Sequence, residues 1–383
     1  MALRLILREK YLEKIRPFYD TDNVKVLAGI GRCGKSLLLR SIAEELRARG
    51  IPTENILLID FSRPESASFA YAEGLHQKIL TFARESRGKL SFFFDAFDRV
   101  DDGEKALALI RADVDCDIYL SVSERAVSVE PSLIFSVYPF GFEEYLACYR
   151  ENVSTDALDA IFRAFLRTGG MPYVFSLGLD PERVRLYLSD TIKILFVAEI
   201  AKRYAIRNID LLERVAHYVI AHAGTAFSAH DVVRSVKVLR QTTSVDTVIN
   251  YLRYFCEAGL CFRVPKEKAQ DAVGFSSTDT YFLADHGFLR AIASADVDED
   301  AVLRNIVFTE AIRRGFDVKI GRHVDFLCVK DGRKIGISVS KRGLRQKASN
   351  RYPIYVLSEE VSESGEEGIL ARRIVDFLRQ DEW

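Results

Sequence analysis

Gly29-Ile30-Gly31-Arg32-Cys33-Gly34-Lys35-Ser36 fits G-x-x-x-x-G-K-[ST], the pattern of a phosphate-binding loop. The stretch before it, Val24-Lys25-Val26-Leu27-Ala28, is a short apolar run that reads as a buried strand. The stretch after it, Leu37 to Leu46, reads as a helix. Strand, glycine loop and helix are the context the pattern requires. Glycines let the backbone curl until its N–H groups face a phosphate, and the helix N-terminus adds partial positive charge beneath it. The residues expected to line a triphosphate are Gly29, Gly31, Arg32, Cys33, Gly34, Lys35, Ser36 and Leu37. Lys35 is expected to reach the β- and γ-phosphates, and the Ser36 hydroxyl to ligate Mg²⁺. ATP and Mg²⁺ are the cofactors this reading implies.

Working outward, apolar strands alternate with helices. Asn55–Phe61, Leu90–Asp95, Cys116–Ser121 and Leu133–Val137 read as further strands, with helices over residues 3–19, 69–84 and 103–112. Continuous apolar strands between helices predict a parallel sheet covered on both faces, with ligands at the strand C-termini. From about residue 140 the pattern turns helical: Phe142–Tyr149, Thr155–Arg167 and Pro181–Tyr204. Helix, helix, helix, strand over 209–263, with Ser228 and Ser244 as N-caps, outlines a winged helix-turn-helix. Residues 280–383 return to mixed α/β, ending in a helix over Ile369–Arg379.

A phosphate loop needs an acidic partner at the end of another strand, and Asp95 is placed to support Mg²⁺ beside Ser36. The next residue is Ala96. Asp98 is the nearest carboxylate and the candidate catalytic residue, although a turn or cap role suits it as well. Ser121 and Ser123 are candidates for the γ-phosphate, and Arg125 for neutralising its charge.

Composition bounds the partners. The chain has 383 residues, 48% hydrophobic and 28% charged, and a net charge of −1. No global basic field advertises nucleic acid, which leaves only a local patch. The six cysteines show neither C-x-x-C nor metal-ligand spacing and read as reduced thiols of a cytoplasmic protein. No apolar run approaches the ~20 residues a membrane helix needs.

Several stretches are similar to one family. They are Tyr11-Leu12 with Pro17-Phe18, Gly29–Ser36, Asp95-Ala96-Phe97-Asp98, Tyr138–Tyr145, Leu166–Pro172, Ser244–Val248, Leu283–Phe288 and Asn305–Glu310. The chain resembles the bacterial and archaeal AAA-type ATPases that end in a restriction-endonuclease-like domain of unknown function. The resemblance implies an AAA-like P-loop NTPase core over 1–140, a helical lid over 141–208, a winged helix over 209–265 and a nuclease-like α/β domain over 266–383. It also marks departures. The family's glutamate after the Walker B aspartate is Ala96, its glutamine is Asp98, and Val127–Pro131 is short and lacks an arginine.

Nucleases of that fold gather an acid on a helix, an Asp at a strand end and Glu-x-Lys on the next strand. Here Glu310 and Asp325 stand at the first two places, Ser338-Val339-Ser340 at the third, and Lys341 beside it. The expected function is an ATP-binding switch with slow or absent hydrolysis. The alternative is a regulator that binds DNA through Arg234, Lys237, Arg240, Arg253, Thr247 and Asn250, or that docks a protein partner. A second basic run, Lys341-Arg342 with Arg345, Lys347 and Arg351, reads more readily as a solvated charged loop than as a second phosphate-contacting patch.

Overall fold

A computed structural model describes residues 8–123, 130–149, 155–194, 199–238, 242–267, 278–292, 297–341, 352–359 and 368–383. The chain divides into two compact units, Met1–Val137 and Tyr138–Trp383.

Unit 1 is built on five parallel strands: β1 (Val24–Ala28), β2 (Ile56–Asp60), β3 (Leu90–Asp95), β4 (Cys116–Val122) and β5 (Ser132–Ser136), in the order β2-β3-β4-β1-β5. All five residues of β1 are buried, as befits an inner strand. Alternate residues face opposite sides. Val24, Val26, Phe92, Phe94, Ile118 and Leu120 share a core with Leu75 and Ile79 of α3 (Ala72–Glu85) and with Leu107 and Ile110 of α4 (Gly103–Asp113). The other face packs against α2 (Lys35–Ala48), which buries Leu38, Leu39, Ile42, Ala43 and Leu46 at helical spacing. The doubly covered parallel sheet expected from the sequence is therefore present. The expected helix over residues 3–19 is described only as α1 (Glu9–Ile15) and a short 3₁₀ turn through Phe18, and residues 1–7 lie outside the described part.

A charged device sits on the α2 side of this sheet. Lys25 is fully buried and pairs with Asp117 of β4, also donating to Thr21 O at 2.9 Å. Tyr119 donates to the same carboxylate at 2.7 Å, and the Asp20 amide at 2.9 Å. Burial pushes the Lys25 ammonium down and its carboxylate partner pulls it back up. The pair joins β1 to β4, where a buried charge without its partner would be costly.

Unit 2 opens with α5 (Phe142–Ala147), α6 (Thr155–Thr168) and α7 (Pro181–Ile194). The expected helix to Tyr204 is described as far as Ile194, and residues 195–198 lie outside the described part. Then come α8 (Ile209–Ala221), β6 (Ala226–Phe227), α9 (Ala229–Val238), α10 (Val245–Glu257), β7 (Cys261–Val264) and β8 (Asp279–Leu283). The last strand pairs antiparallel with both β6 and β7. The boundary expected at 265/266 thus falls within a sheet. Both serine caps form: Ser228 Oγ accepts from the Asp231 amide at 3.2 Å and Ser244 Oγ from that of Thr247 at 3.1 Å.

A short helix absent from the sequence reading, α11 (Gly287–Ile292), packs on α6, α7 and α8. It leads to α12 (Glu299–Arg313), which is buried on nearly every side because it lies against β8 and against strands of a second sheet. That sheet comprises β9 (Asp317–Ile320), β10 (Phe326–Lys330), β11 (Arg333–Val339), β12 (Ile354–Ser358) and β13 (Ile369–Arg373), antiparallel from β9 to β11 and parallel from β11 to β13. Two expectations are corrected here. Ile369–Arg373 is a strand, and only α13 (Ile374–Leu378) is helical, because β12 offers a parallel edge that overrides local helical pattern. The apolar run His323–Lys330 reads in sequence as one strand, but His323–Asp325 are bends ahead of β10.

Candidate nucleotide-binding site

The phosphate loop leaves the C-terminal end of β1 and enters α2. Two backbone positions fix its shape. Gly34 has φ 104°, a left-handed conformation that favours glycine. A Cβ on Gly29 would lie 2.1 Å from Val137 O, so the loop can pass the end of β5 only without a side chain there. Arg32 also adopts positive φ and is exposed, whereas Cys33 is buried with its thiol donating to Val137 O at 3.3 Å. The Arg8 guanidinium donates to Cys33 O at 3.1 Å from beneath.

Lys35 is buried at the start of α2. Its ammonium donates to two loop carbonyls, Gly29 O at 2.7 Å and Ile30 O at 2.9 Å. Those bonds hold the ammonium inside the curve of the loop, the position from which a lysine meets a phosphate. Ser36 and Leu37 follow in the first helical turn, whose amides have no intrahelical acceptor.

The strand register brings Asp95 to the same edge. Phe94 pairs with Leu120, and Ser121 pairs with Leu27 of β1. Asp95 therefore ends its strand level with Ser121 and with the root of the phosphate loop, two strand spacings or about 10 Å away. Ser121 donates its hydroxyl to Asp95 and accepts the Ala96 amide at 2.9 Å. The loop's amides, the Ser36 hydroxyl and the Asp95 carboxylate form a donor and ligand set that fits a triphosphate with Mg²⁺.

Ala96 sits in the left-handed region at φ 55° and presents a methyl group. Asp98 is exposed and accepts the Ser123 amide at 3.3 Å, which ties the turn after β3 to the end of β4. Arg125 lies outside the described residues, as do 127–129 of the short segment. Asp60, which the sequence reading passed over, ends β2 directly beside Asp95. Hydrogen bonds from Ser62 and the Arg63 guanidinium hold its carboxyl below the usual range despite partial burial.

Residues 21–146 match the model of the AAA domain family. The match and the five-stranded parallel sheet support an AAA-type P-loop fold for unit 1. Such a fold supports nucleotide binding. Residues 159–299 match a domain of unknown function (DUF8612). An uncharacterized protein of Haemophilus influenzae is 27% identical over 343 residues, covering 86% of this chain and 85% of its own. One of Methanocaldococcus jannaschii is 23% identical over 311 residues, covering 77% and 68%. Among solved structures, a Walker-type ATPase of Pyrococcus abyssi aligns with a TM-score of 0.48 and 17% identity over 74% of this chain and 95% of its own. No described helix is long and apolar enough to cross a membrane.

The motifs flagged in unit 2 turn out to meet one another. Asp285 is buried and accepts the Gly170 amide at 2.8 Å and the Gly287 amide at 2.7 Å. Gly169 has φ +74°, and a Cβ there would lie 2.1 Å from the Asp285 carboxylate. Gly170 and Phe140 exchange a backbone bond of 2.7 Å. The Gly-Gly-Met-Pro turn and the Asp-His-Gly turn are thus two halves of one clamp. Burial pushes the Asp285 carboxyl up to about 6 and His286 down to about 4, where its Nε2 meets Phe165 O at 2.8 Å. The Asn305 side chain likewise exchanges two hydrogen bonds with the Leu283 backbone, at 2.8 and 3.0 Å.

Glu310 is occupied too. Its carboxylate pairs with Arg313 and with Arg314, the latter at 2.8 Å. Asp325 accepts the Val339 amide at 2.7 Å and lies 3.9 Å from the Arg304 guanidinium. Burial raises its carboxyl, Arg304 lowers it, and the neighbouring carboxylate acting on it is Asp300 of the first turn of α12, not Glu310. Asp300 in turn accepts the Lys341 amide at 2.6 Å. Among the described residues no group of His, Cys, Asp and Glu has metal-binding geometry. Of the expected basic residues, Arg234, Lys237 and Arg253 are exposed, whereas Arg240, Arg342, Arg345, Lys347 and Arg351 lie outside the described residues.

Proposed function

We propose that the chain is an ATP·Mg²⁺-binding switch in which hydrolysis is slow or absent. Gly29, Gly31, Arg32, Cys33, Gly34, Lys35, Ser36 and Leu37 hold the triphosphate, and Ser36 with Asp95 serves the metal. The observation that carries the reading is the sequence Asp95-Ala96 on the strand beside Ser121. The carboxylate that supports a metal is kept, and the one that would orient an attacking water is a methyl group. A general base contributes about 10²–10⁴ to such a rate, so its loss separates binding from turnover. Asp98, bonded to the Ser123 amide, is the remaining carboxylate for that task. Calorimetric titration with ATP and Mg²⁺, followed by phosphate release on the same sample, tests the proposal. Binding in the micromolar range with turnover far below one per minute is expected; absence of binding removes it.

A second reading assigns the chain to nucleic-acid regulation or protein docking. Its support is the α8-β6-α9-α10-β7-β8 arrangement, which follows the order of a winged helix, with Arg234 and Lys237 exposed on α9. The mixed sheet β9–β13 would then be an inactive nuclease-like domain, since Ser338 and Ser340 occupy the Glu-x-Lys positions and Arg304 faces Asp325. In this reading duplex DNA binds regardless of nucleotide, no Mg²⁺-dependent cleavage occurs, and Arg234→Ala/Lys237→Ala weakens the complex. A gel-shift titration with and without ATP decides it. Both readings fit a cytoplasmic protein.

A further inference from the structure

A basic, aromatic surface in unit 2 joins Arg253, already a candidate DNA contact, to residues that neither reading uses. Lys202-Arg203-Tyr204-Ala205-Ile206-Arg207 forms a tight turn after residue 201. The Tyr204 amide donates to Ile200 O at 3.1 Å, the Ile206 amide to Ala201 O at 2.9 Å, and Ala205 is left-handed at φ 49°. This turn lays Tyr204 flat on Tyr254 of α10, with ring centroids 3.7 Å apart and planes 10° from parallel.

The stack continues outward at both ends. The Arg203 guanidinium carbon is 5.9 Å from the Tyr204 ring centre and that of Arg253 is 5.2 Å from Tyr254. The result is a ladder of arginine, tyrosine, tyrosine, arginine, and both arginines are exposed. A carboxylate borders it: Glu257 accepts the Tyr204 hydroxyl at 2.6 Å and lies 3.7 Å from the Arg253 guanidinium. Lys202 and Arg207, also exposed, add charge along the same turn. Asp210, the next acid along, is paired with Arg214 at 3.0 Å.

From this geometry we infer that the ladder is a binding surface for single-stranded nucleic acid. Its four cations track a phosphate backbone, and its planar guanidinium and phenol groups stack on unpaired bases. Rings that hold a guanidinium in place reduce the side-chain freedom lost on binding a phosphate. An acidic peptide would use the charge and leave the stacked planes without a role, so nucleic acid fits the whole feature better. The inference deepens the second reading, placing a strand on elements other than α9.

The test uses the full chain, a fluorescein-labelled 20-nucleotide single strand and fluorescence anisotropy at two salt concentrations. Arg203→Ala/Arg253→Ala is expected to weaken binding roughly tenfold and to lower the salt slope by about 1.4, two phosphate contacts' worth for a single strand. Arg203→Lys/Arg253→Lys, which keeps charge and loses planarity, is expected to restore the slope but only part of the affinity. Calorimetric ATP binding by the same variants reports that they are folded. An unchanged affinity in the alanine variant overturns the inference, as does equal affinity for the corresponding duplex or for polyglutamate. Duplex binding that depends on Arg234 and Lys237 alone would also overturn it, while leaving the second reading standing.

Discussion

Asp95 at the end of β3 and the half-buried Asp325 just before β10 differ in what surrounds them. Asp95 is held by a neutral hydroxyl from Ser121 and lies level with the root of the loop whose carbonyls at Gly29 and Ile30 take the Lys35 ammonium. Asp325, before β10, faces the Arg304 guanidinium and receives the Val339 amide. At the first site the carboxylate is oriented by neutral donors, the Ser121 hydroxyl and the Ala96 amide. At the second, an arginine of the protein already supplies the positive charge. An acidic residue at the right place in a fold is therefore a weak sign of metal chemistry until its neighbours are known.

The same contrast applies to Lys35 and Glu310, each buried and each bonded to its own segment. Replacing Glu310 by alanine takes the carboxylate from Arg313 and Arg314, which keep only neutral backbone acceptors such as Pro139 O and Leu378 O, and loss of about 3–5 kcal/mol is expected in urea unfolding. A cost under 1 kcal/mol with gain of metal binding would instead make Glu310 a ligand. Lys35→Ala should lower ATP affinity roughly 100-fold, about 2.7 kcal/mol, with little change in stability. Unchanged affinity in calorimetry would remove the loop from the site.

Ala96→Glu probes what is missing at the Asp95 end. A tenfold or larger rise in phosphate release is expected where the rest of the site is intact. No rise, with ATP binding preserved, would show a second defect, with the turn bonded by Asp98 the first place to look.

The smallest expected effect concerns Asp285 and His286. The Asp285 carboxyl lies above its unfolded value of about 3.9, so its contribution to stability is full below that value and is lost as pH rises towards 6. His286 lies below its unfolded value of about 6.5, so its contribution is full above that value and is lost as pH falls towards 4. Between about pH 4 and 6 the two slopes oppose, each at most about 1.4 kcal/mol per pH unit. Asp285→Asn should make stability rise more steeply with pH than in the parent, and His286→Gln should make it fall. Urea midpoints at four pH values would read this, and parallel curves for all three proteins would refute it.

What the sequence determined by itself is the phosphate-loop pattern, the strands before and beside it, and the alanine that follows Asp95. These are local facts: a glycine pattern, runs of apolar residues, and one residue following another. The strand Ile369–Arg373 was hidden because its pairing with β12 is a long-range choice that local pattern does not encode. The roles of Asp285, Asn305 and Glu310 were hidden for the same reason. Their motifs stood out in the sequence, but their partners, Gly170, the Leu283 backbone and two arginines, become neighbours only through folding. The ladder of Arg203, Tyr204, Tyr254 and Arg253 is the furthest such case. Two ordinary Arg-Tyr pairs, far apart in the chain, become one surface because α10 and the turn at 202–207 meet.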